Sequence, residues 1–131
     1  MNHLSTEQLN TMKSRLGEER SRLRALIREE LLRNDAEQYG DLAGQVHDTG
    51  DESVADLLAD VNISMVGRLI QELREVESAL ERINMGSYGI CEDCATTIPF
   101  SRLEAYPTAR RCLADQERHE KLFTEENKPS L

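Results

Sequence analysis

Cys91-Glu92-Asp93-Cys94 is followed, after seventeen residues, by Cys112-Leu113-Ala114-Asp115. Two Cys-x2-Cys pairs separated by about 15–20 residues make a specific zinc frame, and here aspartate stands at the last of its four positions. A Cys-x2-Cys turn aims two thiolates at one ion, and a second pair at the start of a helix closes a tetrahedron. Asp115 could supply oxygen as the fourth donor, which makes the site Cys3Asp: Cys91, Cys94, Cys112 and Asp115. Three other readings stand beside it. The site could be held by packing without metal. His119 could replace Asp115, although it lies two helical turns beyond Cys112. Cys91 and Cys94 could serve redox chemistry, although no βαβ pattern surrounds them. A closed frame with no nearby general base argues against a catalytic zinc and against an enzyme.

Asp48 and Asp51 form the second constellation, inside His47-Asp48-Thr49-Gly50-Asp51. Asp and Thr accept backbone hydrogen bonds and Gly permits positive φ, so this stretch reads as a turn. Taken alone, both acids could be no more than caps for the helix that follows.

The elements around these residues are helical. Ser5 and Gln8 fit a capping box, and Leu9, Met12, Leu16, Leu23 and Leu26, widened by Ile27 and Leu31, recur at helical spacing between charged flanks. From Asn34 to Gly50 the pattern is less regular, and the end of the first helix is left open. A second helix is expected over about 53–84, with Ser53 and Asp56 as a capping pair and Leu58, Met65, Leu69, Leu73, Val76, Leu80 and Ile83 as its stripe. Two such helices joined by a turn predict an antiparallel coiled coil. About 32 residues at 1.5 Å each make an arm of roughly 50 Å, with the turn near 47–53 at its tip. Asn84-Met85-Gly86-Ser87-Tyr88-Gly89 then breaks the helix. Residues 95–107 read as loop, and a last helix is expected from about Cys112 to Glu125. The fold class is therefore all-α: a coiled-coil hairpin (1–84) on a small zinc-finger-like base with a C-terminal helix (85–131).

The chain has 131 residues and a net charge of −9, with 31% charged residues and no tryptophan. No Lys or Arg stands between Arg33 and Arg68, whereas Asp35, Glu37, Asp41, Asp48, Asp51, Glu52, Asp56 and Asp60 do. Contact with a phosphate backbone needs clustered basic residues, so this half of the molecule should avoid DNA and favour a basic protein surface. Arg102, Arg110 and Arg111 are the local support for a DNA-binding finger. Three cysteines do not close a set of disulfides. The first residues lack the apolar stretch of a secretory signal, and no run is long enough to span a bilayer. A cytoplasmic protein with reduced thiols is expected.

The segment Tyr88-Gly89-Ile90-Cys91-Glu92-Asp93-Cys94, with Ile98-Pro99, Arg102-Leu103-Glu104-Ala105, Pro107-Thr108-Ala109 and Cys112, resembles the DksA/TraR zinc-finger family. Asp48 and Asp51 match that family's Asp-x-x-Asp-x-Ala tip, and the likeness covers roughly residues 45–120. The resemblance implies a bacterial transcription regulator that binds RNA polymerase and not DNA. Its coiled coil would enter the secondary channel, and the acidic tip at Asp48, Asp51 and Ser53 would approach the active site and change open-complex stability. In that family this often happens together with ppGpp, the alarmone of the stringent response. Three departures stand out. Asp115 replaces a cysteine. Ser53 replaces the tip alanine. Glu75, Tyr106 and Gln116 stand where basic alarmone contacts are expected, which implies weak or absent ppGpp binding. The alternative function is a zinc-knuckle adaptor for some other protein partner, with the tip acids serving as caps.

Overall fold

The computed structural model describes residues 3–50, 53–61 and 63–126. Helix α1 spans Thr6–Asp48, α2 Ser64–Met85, α3 Phe100–Ala105 and α4 Leu113–Glu126. A single 3-10 turn lies at Asp56–Leu58, and no strand occurs among the described residues. The fold is all-α, as expected.

The capping box at the start of α1 is present: Gln8 N donates to Ser5 Oγ at 3.0 Å, and Ser5 N donates to Gln8 Oε1 at 2.9 Å. This satisfies two amides that have no partner within the helix. Met12, Leu16, Leu23, Ile27 and Leu31 form the buried stripe.

α1 is not straight. At Asp35 the backbone turns extended (φ −161°, ψ 94°). The local sequence explains the break. Asn34 Nδ2 donates back to the Glu30 carbonyl at 3.0 Å, and Asp35 Oδ1 accepts from Gln38 N at 3.0 Å, so one residue ends a helix and the next caps another. Arg24 then donates to the carbonyls of Thr49 (2.8 Å) and Gly50 (2.7 Å). In a straight helix residues 24 and 49 would be roughly 37 Å apart. Residues 36–48 must therefore fold back beside the first arm, where Ala43 and Val46 are buried.

The second helix begins at Ser64, not near Ser53. The amides of Val54 and Ala55 donate to the Glu77 carboxylate at 2.8 and 3.3 Å, and Ser53 Oγ also reaches it at 3.3 Å. Ser53 and Asp56 are thus not a local capping pair; Asp56 lies 3.6 Å from Arg74 instead. Val54, Ala55 and Leu58 are buried in this connection. Along α2 the buried residues are Val66, Ile70, Leu73, Val76, Ala79 and Leu80, with Leu69 and Ile83 only partly covered. Leu73, Val76 and Leu80 were expected inside; Val66, Ile70 and Ala79 show that the helix is rotated slightly from the anticipated stripe.

α2 packs antiparallel to the first arm of α1. At one end Arg15 Nη2 donates to Glu104 O (3.0 Å) and Arg82 Nη1 to Ala109 O (3.2 Å), which brings the start of α1 and the end of α2 to the same base. Midway, Arg24 and Glu77 are 3.8 Å apart. Gly86, at φ +82°, ends α2 in the left-handed conformation, and the Ser87 amide reaches back to Arg82 O at 2.9 Å.

The base is built on Tyr88, Ile98, Leu103 and Ala109, all fully buried. Tyr88 donates its hydroxyl to Pro107 O at 2.8 Å. Gly89 has φ +85°, and a Cβ there would lie 3.0 Å from Leu4 Cδ1, so glycine fits this position on both counts. His3 Nε2 lies 2.8 Å from Ile98 O. The stretch 95–107, read as loop, contains the six-residue α3, which follows Pro99.

Candidate metal centre

The first two donors come from a turn. Cys91 N donates to Thr96 O at 2.8 Å and Ala95 N to Cys91 O at 2.9 Å, with Ala95 in the left-handed region (φ 62°). This tight loop turns both sulfurs inward. Glu92 N donates to Arg110 O at 2.9 Å, which ties the turn to the strand of chain leading into Cys112. Cys112 precedes α4, and Asp115 lies three residues on, so the two side chains share one helix face.

The four donor atoms lie within 4.8 Å of one another. Cys94 Sγ and Cys112 Sγ are 3.8 Å apart, Cys91 Sγ and Asp115 Oδ2 3.1 Å, and Cys112 Sγ and Asp115 Oδ2 3.4 Å. A zinc tetrahedron with Zn–S of about 2.3 Å and Zn–O of about 2.0 Å has edges of about 3.8 Å (S–S) and about 3.5 Å (S–O). These three separations lie within a few tenths of an ångström of the ideal edges, and none of the others exceeds 4.8 Å. Asp115 is buried, at 5% exposure, and it is the only charged residue buried among those described. Its Oδ1 lies 3.6 Å from Arg118, while its Oδ2 faces the sulfurs, where a metal ion would find a buried anionic oxygen beside the thiols.

The electrostatics agree. The three thiols facing Asp115, Cys94 foremost, hold its carboxyl below the usual range. In return Asp115 pushes the Cys94 thiol up to about 11. At Cys91 burial raises the thiol, but amides of Cys112, Cys94 and Asp93 aimed at the sulfur outweigh it and the net shift is downward. Zinc, when bound, would neutralise the converging thiolates and tie the turn to α4. The donor set fits zinc.

Sequence reasoning placed Cys91, Cys94, Cys112 and Asp115, and the structure brings all four together. His119 is exposed and stands outside the group. Thr96, whose Oγ1 lies 2.9 Å from Cys94 Sγ, was missed; its place two residues after the Cys-x2-Cys turn is the signal that could have found it. Glu92 and Asp93 are not merely solvated. Arg111 lies 2.7 Å from Glu92 and 2.9 Å from Asp93, and Arg110 binds Glu75 at 3.1 Å. Arg102 donates to Arg111 O and its guanidinium lies over the Tyr106 ring.

The second constellation lies elsewhere. Asp48 is the last residue of α1 and is exposed; Ser53 is exposed; Asp51 lies outside the described residues.

Residues 86–121 match the family of the prokaryotic dksA/traR C4-type zinc finger. The chain is 34% identical over 90 residues to the RNA polymerase-binding transcription factor DksA of Caulobacter vibrioides, across 69% of this chain and 58% of that protein. Its fold superposes on transcription factor DksA2 from Pseudomonas aeruginosa with a TM-score of 0.64 and 26% identity, covering 93% of this chain and 90% of that one.

The chain belongs to the DksA/TraR zinc-finger family.

An uncharacterised protein of Aquifex aeolicus is 37% identical over 111 residues, 83% of this chain and 74% of that protein. The chain thus spans somewhat over half the length of the Caulobacter DksA it matches. Within a family named for a C4-type finger, this member groups three cysteines and a carboxylate.

Proposed function

We propose that this chain is a non-enzymatic, cytoplasmic regulator of transcription initiation that binds RNA polymerase through its secondary channel. Asp48 and Asp51 are its effector acids, with Ser53 beside them, and they act near the polymerase active site to alter open-complex stability. Cys91, Cys94, Cys112 and Asp115 hold a structural zinc. The helical part (1–84) carries the effector loop and the finger part (85–131) anchors it. The observation that carries this reading is the pairing of a DksA-type finger with an acidic turn at the end of α1, where Asp48 is exposed. The similarity to the RNA polymerase-binding transcription factor DksA of Caulobacter vibrioides supports the choice of partner.

DNA is not the partner. The finger arginines that could grip phosphate are engaged inside the base, Arg110 with Glu75 and Arg111 with Glu92 and Asp93, and the net charge is −9. The alarmone ppGpp binds weakly or not at all. Of the three positions at issue, Glu75 is a carboxylate held by Arg110, Tyr106 lies beneath Arg102, and Gln116 bonds Glu120. None offers a cation to a polyphosphate. Binding of the labelled chain to core RNA polymerase, titrated alongside a promoter duplex, tests the reading. Saturable binding to polymerase with no retention on DNA is expected; the reverse pattern sinks it.

A further inference from the structure

Both ends of the acidic loop are tied to one ion pair. On the entering side Arg24 Nη1 donates to Thr49 O at 2.8 Å and Gly50 O at 2.7 Å. On the leaving side Glu77 accepts from Val54 N at 2.8 Å and Ala55 N at 3.3 Å. Arg24 and Glu77 face each other at 3.8 Å, with side chains only 12% and 14% exposed. Arg24 thus covers carbonyls left over at the end of α1, and Glu77 covers amides that no helix of their own satisfies. The polarity is matched: a cation on acceptors and an anion on donors. The pair acts together with the burial of Val46, Val54 and Ala55 in holding the two ends of the loop close.

We propose that Arg24 and Glu77 form a clamp that positions the acidic loop by holding the residues on either side of it, Thr49 and Gly50 on one side and Val54 and Ala55 on the other. Arg24 and Glu77 are positioning residues, and their functional consequence rests on the polymerase reading.

Amide hydrogen exchange on the full chain with zinc, compared among wild type, Glu77→Ala, Glu77→Gln and Arg24→Ala, tests the clamp directly. Exchange at Val54 and Ala55 is expected to quicken more than tenfold in Glu77→Ala and less in Glu77→Gln, which keeps one acceptor. Amides of Leu73, Val76 and Cys91 should not change, which separates loop release from unfolding. Unchanged protection at Val54 and Ala55 overturns the clamp whatever the protein binds. The same variants are then assayed for polymerase affinity and for open-complex lifetime. Retained affinity with a lost lifetime effect supports positioning; an intact lifetime effect despite fast exchange overturns it. If Asp48→Asn with Asp51→Asn leaves the lifetime effect intact, the polymerase-tip reading falls, while the exchange data still decide the clamp.

Discussion

Asp115 is where one side chain decides the chemistry of the base. Asp115→Ala should lower zinc affinity by one to two orders of magnitude, and Asp115→Cys should raise it, both read by competition with a chromophoric chelator. The pH dependence has a definite sign. The carboxyl, held low by the thiols, is ionised throughout the neutral range, but the Cys94 thiol at about 11 keeps its proton there. Zinc must displace that proton, so apparent affinity should climb as pH rises from 6 to 9, with measurable proton release. Tyr88 gives a second test at this scale. Burial pushes its hydroxyl up to about 12, above the ordinary tyrosine value of about 10. A raised folded value means the protonated form is favoured in the native state, so this contribution is whole below pH 10 and lost as pH climbs toward 12. Tyr88→Phe should cost about 1–2 kcal/mol by stranding Pro107 O, and should abolish that alkaline loss in urea melts. The donors were legible in the sequence because the metal fixes their spacing. Thr96 was not, because a hydroxyl beside a sulfur has no spacing rule to announce it.

The elements show where local signals prevail and where they yield. Ser5 and Gln8 capped α1 as read, because both partners lie within one turn. Asn34-Asp35 also acts locally, yet in the sequence it shows only as irregularity; in the fold it is the break in α1. Asp35→Ala should destabilise the protein by about 1 kcal/mol, measured by chemical denaturation, through loss of the cap to Gln38. At Ser53 the local signal lost. Ser53 and Asp56 look like a helix start, but a carboxylate 22 to 24 residues away takes the amides, and α2 begins only at Ser64. No window over the sequence contains Glu77 together with Val54, so that outcome could not be read from periodicity. The six-residue α3 is too short to show a period at all.

At the scale of the molecule the bundle and the finger draw on different forces. The bundle buries its own apolar stripe, from Met12 to Leu31 on α1 and from Val66 to Leu80 on α2. Between 113 and 122, α4 buries only Asp115, so the metal site is what fixes this helix to the rest. Zinc removal should therefore loosen α4 and the Cys91–Cys94 turn while most helical signal in circular dichroism survives. No helix of the described residues is long and apolar enough to cross a membrane. The all-α class and the pairing of two long helices followed from composition and helical spacing; the fold-back of residues 36–48 required contacts that only the folded chain supplies. The central claim is that the acidic loop acts on polymerase. It is tested most directly by the lifetime of RNA polymerase open complexes at a ribosomal RNA promoter, with wild type and with Asp48→Asn/Asp51→Asn. A lifetime changed by the wild type and left unchanged by the double variant, with equal helicity in both proteins, is the predicted result. No change at saturating wild-type protein, or an equal change with both proteins, contradicts the account.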